Sequence, residues 1–247
     1  MDHLWLFLLA ALIVGSSKGG LASAGTLAVP LLSIWMDPLL AAGTLLPIYI
    51  VSDGVGVWLY RREYSRRNVL LLVPAGLVGV VLAAFLAPYV SAALATFLTG
   101  MIGLAYCLQA VARRLRNIAR VEPFNPRRGA FWGVLVGMTS FVSHTGAPPF
   151  QAFVLPQRLP KMEYAGTNTI VFAAVNLFKL PAYASVGLLA NVEWRSFLAM
   201  AAVASVGAVL GRKLAQALPD QIYMRLIQTI LFVLSIYLVA VSAGEIA

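Results

Sequence analysis

Apolar runs about 20 residues long, enough for a helix to cross the hydrocarbon core of a bilayer, recur along this sequence and constrain it more than any other feature. Complete spans read at 39–60, 69–87, 90–112 and 221–242, and the stretches 163–184 and 195–215 read as spans carrying a few polar residues. Of 247 residues, 61% are hydrophobic and only 11% are charged, too little charge to cover a water-facing surface. A soluble globular protein is excluded. The chain reads as an all-α, polytopic membrane protein.

The net charge of +9 would raise the question of nucleic acid in a soluble protein, but its distribution answers it. Arg61, Arg62, Arg66 and Arg67 fill one short loop, and Arg113, Arg114, Arg116, Arg120, Arg127 and Arg128 fill another. Such loops are expected on the cytoplasmic face beside anionic lipid, so the bilayer and not nucleic acid is the partner. Cys107 is the single cysteine and lies in an apolar run, so disulfides, zinc and thiol redox pairs lack their material. The opening Met-Asp-His has no Lys or Arg ahead of the first apolar run, unlike a signal peptide, and residues 1–15 therefore read as structure.

Two further stretches, 4–36 and 129–157, are apolar but broken centrally by small, polar or helix-breaking residues, GSSKGGLASAGT (Gly15 to Thr26) and TSFVSHTGAPP (Thr139 to Pro149). Ala42-Gly43-Thr44 recurs as Ala165-Gly166-Thr167 at an offset of 123, which sets Asp53 opposite Asn176. Further on the offset becomes 128, with Gly79 over Gly207 and Val81-Leu82 over Val209-Leu210. The chain thus reads as two repeats, 1–118 (hairpin 4–36, spans 39–60, 69–87 and 90–112) and 119–247 (hairpin 129–157, spans 163–184, 195–215 and 221–242).

Charge discriminates between two topologies. If each broken segment crosses the membrane once, Arg158, Lys161, Arg212, Lys213 and Arg225 fall outside. If each is a re-entrant hairpin, the second half inverts, those residues join the cytoplasmic set, and Arg195 alone flanks the outer side, with Lys18 and Lys179 inside the membrane. The second arrangement, two inverted pseudo-symmetric repeats with both termini outside, satisfies the positive-inside rule far better.

Broken backbone at membrane depth must be buried in protein or line a polar cavity, so two symmetrical breaks imply a cavity between them. A helix restarts after each break, near Thr26 and near Pro149, and directs free amides and a positive dipole end inward. Around these starts sit Ser16, Ser17, Ser23, Thr26, Thr139, Ser140, Ser143 and Thr145 as hydroxyl donors, with Lys18 and His144. Converging donors and positive potential suit a small oxyanion. Gly15, Gly19, Gly20 and Gly25 serve either the cavity or close helix packing. His144 has no second histidine at ligand spacing, which argues against a metal and leaves hydrogen bonding, proton acceptance or plain packing. Asp53 and Asn176 approach the bilayer centre, where an ionisable residue marks either function or a structural ion pair, and Lys18 is the natural partner of Asp53. Lys179 is expected to snorkel outward rather than line an anion path. Trp35, Trp58, Tyr60, Tyr64, Tyr89 and Trp194 flank span ends and read as an interfacial belt.

The breaks GSSKGGLASAGTLAVPLL (Gly15 to Leu32) and GMTSFVSHTGAPPFQAFVLP (Gly137 to Pro156), with the Ala-Gly-Thr turns, resemble the TauE/SafE sulfite-exporter family, also called the toluene sulfonate uptake permease family, over nearly the whole chain. The resemblance implies a secondary transporter in a bacterial inner membrane. Its cargo would be sulfur-containing anions such as sulfite, sulfoacetate or related organosulfonates, mostly exported and coupled to protons. Its motifs fall on Gly19, Gly20, Ser23 and Gly25, and on His144, Gly146, Pro148 and Pro149; Lys18 has no place in the pattern.

The expectation is therefore a carrier, with a passive anion channel as the alternative. Its substrate residues would be Ser16, Ser17, Lys18, Gly19, Gly20, Ser23, Gly25, Thr26, Ser143, His144, Thr145, Gly146, Pro148 and Asn176, and Asp53 and His144 would carry the proton. No cofactor is expected. A membrane-embedded enzyme would need a nucleophile with its base, or a metal set, and Cys107 and two histidines supply neither.

Overall fold

The computed structural model describes residues 4–22, 24–33, 36, 38–86, 89, 91–115, 121–185 and 194–246. It is all-helical among these residues. Helix α1 (Leu4–Lys18) ends at a break, and a 3-10 turn (Ala24–Leu27) leads into the short α2 (Ala28–Ser33). Three long helices follow, α3 (Pro38–Tyr60), α4 (Arg66–Leu86) and α5 (Ala92–Leu115). The second half repeats the order with α6 (Pro126–Ser143), a break, α7 (Ala147–Val154), α8 (Lys161–Ser185), α9 (Trp194–Ala217) and α10 (Asp220–Ile246).

Every span read from the sequence is a helix, with ends displaced by a few residues. The hairpin placed at 129–157 starts earlier, at Pro126, because Asn125 caps the helix by accepting from Arg128 N and Pro126 suits its first turn. The repeat boundary at 118/119 lies outside the described residues. Helices within 40–60, 66–86, 196–217 and 220–244 are long and apolar enough to cross a membrane. The chain is a multi-pass membrane protein.

Both broken segments fold back on themselves. The turn and α2 pack along α1, and α7 packs along α6. At 6 and 8 residues, α2 and α7 are only about 9 and 12 Å long, far short of the hydrocarbon core. Each hairpin is clasped by a long helix of the opposite half, α1 by α9 and α6 by α4, while α3 meets α8 and α5 meets α10.

Glycine makes the two clasps possible, and it does so in the same register in both. A Cβ on Gly15 would strike the backbone of Ala204, and one on Gly137 that of Gly76. Reciprocally, one on Gly207 would meet the carbonyl of Leu12 and one on Gly79 that of Val134. Backbones this close exclude any side chain and bring many dispersion contacts into range.

The loops after α3 and α9 and those before α4, α8 and α10 gather at one end of the bundle. Arg212 bridges to Glu63 at 2.7 Å, Lys161 lies 3.4 Å from Asp220, and Asn68 and Gln157 exchange amide bonds of 3.0 and 3.1 Å. Helices α3 and α8 consequently run antiparallel, the end of one beside the start of the other.

Gly15→Ala and Gly137→Ala should each lower stability by about 1–3 kcal/mol through overpacking. Thermal unfolding in detergent, followed by helical circular dichroism, should show a comparable fall in midpoint for both.

Candidate functional site

The two breaks meet at the centre of the bundle. Helix α1 ends in Ser16-Ser17-Lys18, and the chain turns at Gly20, whose φ of 124° favours glycine. The other break turns at His144, which caps α6 with φ 54°, a left-handed conformation unusual for a side-chain-bearing residue and the kind of strain that collects at functional sites. The turn places the imidazole inside the bundle, 7% exposed, stacked on Tyr49 at 4.9 Å.

Between the breaks lies a cavity of about 30 Å³, on the scale of a water molecule or a small inorganic ion. Ser17, Lys18, Gly25, Thr26 and Tyr49 line it from the first half. Ser140, His144, Ala147, Asn168, Phe172 and Asn176 line it from the second. Lys18 Nζ is 2.8 Å from Asp53 Oδ1 and lies 5.0 Å over the ring of Tyr49 and 5.7 Å over that of Phe172. The other carboxylate oxygen of Asp53 accepts from Asn176 Nδ2 at 2.7 Å. Asp53 and Asn176, set opposite each other by the offset of 123, thus touch each other.

Of the residues expected at the site, Ser17, Lys18, Gly25, Thr26, His144 and Asn176 line the cavity, and Asp53 stands directly behind Lys18 and Asn176. The other described ones are elsewhere. Ser16, Gly19 and Gly20 are not among its lining; Ser16 and Gly19 face α9, where Gly211 approaches both, and Gly20 abuts Tyr60 and Ala215. Thr145 gives its hydroxyl to the carbonyl of Thr139, Gly146 abuts the ring of Phe172, and Pro148 packs against Gly103 of α5. Ser23 and the side chain of Ser143 lie outside the described residues.

Two sequence expectations fail outright. Lys179 does not snorkel: it is fully buried, with Nζ 2.8 Å from His144 Nδ1, 3.0 Å from Ser140 O and 3.2 Å from Ser140 Oγ. Polar acceptors on the neighbouring hairpin outcompete the interface for its ammonium. Tyr60 does not belong to the interfacial belt, since it is fully buried and donates to Gly19 O at 2.6 Å. Trp58, by contrast, is exposed as a belt residue would be. Tyr49, Asn168 and Phe172 were missed, although the offset of 123 that pairs Asp53 with Asn176 also pairs Tyr49 with Phe172.

The same offset relates Tyr60 to Tyr183. Each donates its hydroxyl to a carbonyl at the tip of its own half's hairpin, Tyr60 to Gly19 and Tyr183 to Phe141 at 3.0 Å. Beyond Tyr60, Arg212 stacks on its ring at 4.6 Å and Tyr223 donates to Gly20 O at 2.5 Å. The cavity therefore lies between two matched tyrosine bonds, one toward each end of the bundle.

Residues 7–238 match the family described as sulfite exporter TauE/SafE. The chain belongs to the TauE/SafE family. No curated protein and no solved structure matches it. A family of exporters, together with the apolar helices, makes this member a transport protein of the membrane.

The buried Lys18–Asp53 pair gives a stability test of the site. Lys18→Met or Asp53→Asn alone should cost about 3–5 kcal/mol by stranding the partner charge, whereas the double variant should recover much of that loss. Unfolding midpoints of the four proteins measure it.

Proposed function

We propose that this TauE/SafE member is a secondary transporter that exports small sulfur oxyanions by alternating access, binding them between the two hairpin tips. The cavity carries the reading: it is lined by Lys18, by Thr26 and Ser140, whose hydroxyls can donate to an anion, and by Ala147, the first residue of α7. Asp53 competes with the anion for Lys18, so protonation of Asp53 frees Lys18 and couples binding to protons. The substrate set is Ser17, Lys18, Gly25, Thr26, His144 and Asn176, with Ser140 and Asn168 added.

The halves are inverted repeats in this reading. Support comes from the exchanged clasps, from Gly15 and Gly137 meeting α9 and α4 in one register, and from the gathering of Arg212 with Glu63 at one end. The basic loops then face the cytoplasm and both termini face outward, in a bacterial inner membrane. Tyr60 closes the inner side and Tyr183 the outer. A carrier with both closures engaged is occluded, whereas an open channel would leave a continuous path.

Flux of sulfite from loaded proteoliposomes should be saturable, accelerated by unlabelled sulfite on the far side, and sensitive to a pH gradient. Linear flux without trans-acceleration would make it a channel, and no flux would remove sulfite as cargo. In a Cys107→Ser background carrying Thr26→Cys, Tyr60→Phe should raise labelling by an impermeant thiol reagent from the side of the basic loops. Tyr183→Phe should raise it from the opposite side, each by about fivefold for one lost hydrogen bond. Labelling from the same side in both variants would reject the inverted arrangement.

A further inference from the structure

Lys179 is the buried charge that the scheme so far leaves idle. It is fully buried on α8, one turn beyond Asn176, which lines the cavity. Its three contacts are the carbonyl and hydroxyl of Ser140 and the Nδ1 of His144. Ser140 and His144 themselves line the cavity. When protonated, Lys179 only donates, and Nδ1 of His144 then accepts, with the imidazole neutral and its proton on Nε2. All three partners of Lys179 are thus uncharged.

Lys18 differs in this respect. It faces the Asp53 carboxylate at 2.8 Å and is electrically matched within the protein. Among the described residues, no carboxylate lies within ion-pairing distance of Lys179. With Lys179 protonated, two ammonium groups and one carboxylate leave the centre of the bundle with one positive charge in excess, a state that burial without a counter-charge disfavours by several kcal/mol.

We infer that Lys179 is the principal charge partner of the transported anion, which supplies the counter-charge that no described residue gives it; Lys179 acts from behind Ser140 and His144, which take its three N–H bonds and themselves line the cavity. The inference rests on the transporter reading and sharpens it. Lys18, already paired, tunes affinity through Asp53, while Lys179 supplies the attraction. A resident carboxylate beside Lys179 would neutralise the site and leave it indifferent to anions. A lysine bonded only to neutral acceptors holds its charge ready for a ligand that comes and goes. The titratable groups around the anion are then Lys18 from α1, Tyr49 from α3 and His144 from the α6 end at the cavity wall, with Asp53, Lys179 and Tyr183 behind them.

The test is isothermal titration of the full-length, detergent-purified protein with sulfite at fixed pH, with wild-type flux measured in parallel. Lys179→Gln should weaken binding by about 30-fold or more, and Lys179→Arg, which keeps the charge, should stay within a few-fold of wild type. Lys179→Met, which removes the charge and fills the same buried space with an apolar chain, should weaken binding as much as Lys179→Gln. That variant decides the matter if Lys179→Gln does not fold. Wild-type affinity in Lys179→Gln, or in Lys179→Met, would overturn the inference even if sulfite flux is intact. Sulfite binding that depends on Lys179 without any flux would instead uphold the inference and overturn the transport reading.

Discussion

Backbone that leaves the helix inside a membrane must find its hydrogen bonds within the protein, because lipid offers none. The two hairpin tips set this demand, and side chains from the other helices meet it. Around the first tip, the carbonyls of Lys18, Gly19, Gly20 and Gly25 accept from Thr169, Tyr60, Tyr223 and Tyr49 respectively. Around the second, those of Ser140 and Phe141 accept from Lys179 and Tyr183. Helices α3 and α8 supply five of these six donors, which fixes them at the centre of the bundle. Their polar faces are therefore dictated by the breaks, and the same faces form the wall of the cavity.

This explains what the sequence discloses and what it conceals. Length and apolarity locate the membrane helices, because burial in lipid acts on every residue of a span and leaves a signal many residues long. The fold-back of the broken segments is legible as well, since glycine and proline in an apolar run cannot continue a helix without consequence. Helix α8 is the instructive exception. It spans 25 residues, yet Asn168, Asn176 and Lys179 dilute its hydropathy, and it falls outside the apolar spans just where it matters most.

The site was half legible. Lys18 and Asp53 could be paired by reasoning because opposite charges at similar depth have few other partners. The position of Lys179 could not, since snorkelling and burial depend on the direction of one long side chain, which periodicity does not encode. Nor does the sequence separate glycines that line a cavity from those that let helices touch. Gly25 lies at the cavity while Gly19 lies against α9, and both sit in one run of small residues. The offset of 123 held unused information: applied along the whole of α3, it pairs Tyr49 with Phe172 at the cavity and Tyr60 with Tyr183, which bond the two hairpin tips.

The single excess positive charge beside Asp53 also bears on how such a carrier would respond to voltage. On the assignment of Lys179, a bound monovalent anion cancels that charge, so the loaded site crosses the field as a neutral body. The empty site carries the charge back. An inside-negative potential then leaves the outward, loaded step almost untouched and draws the empty carrier inward, by about 2.3 kcal/mol for each 100 mV if the charge traverses the whole field. The membrane potential would drive export by resetting the machine, not by pushing the cargo.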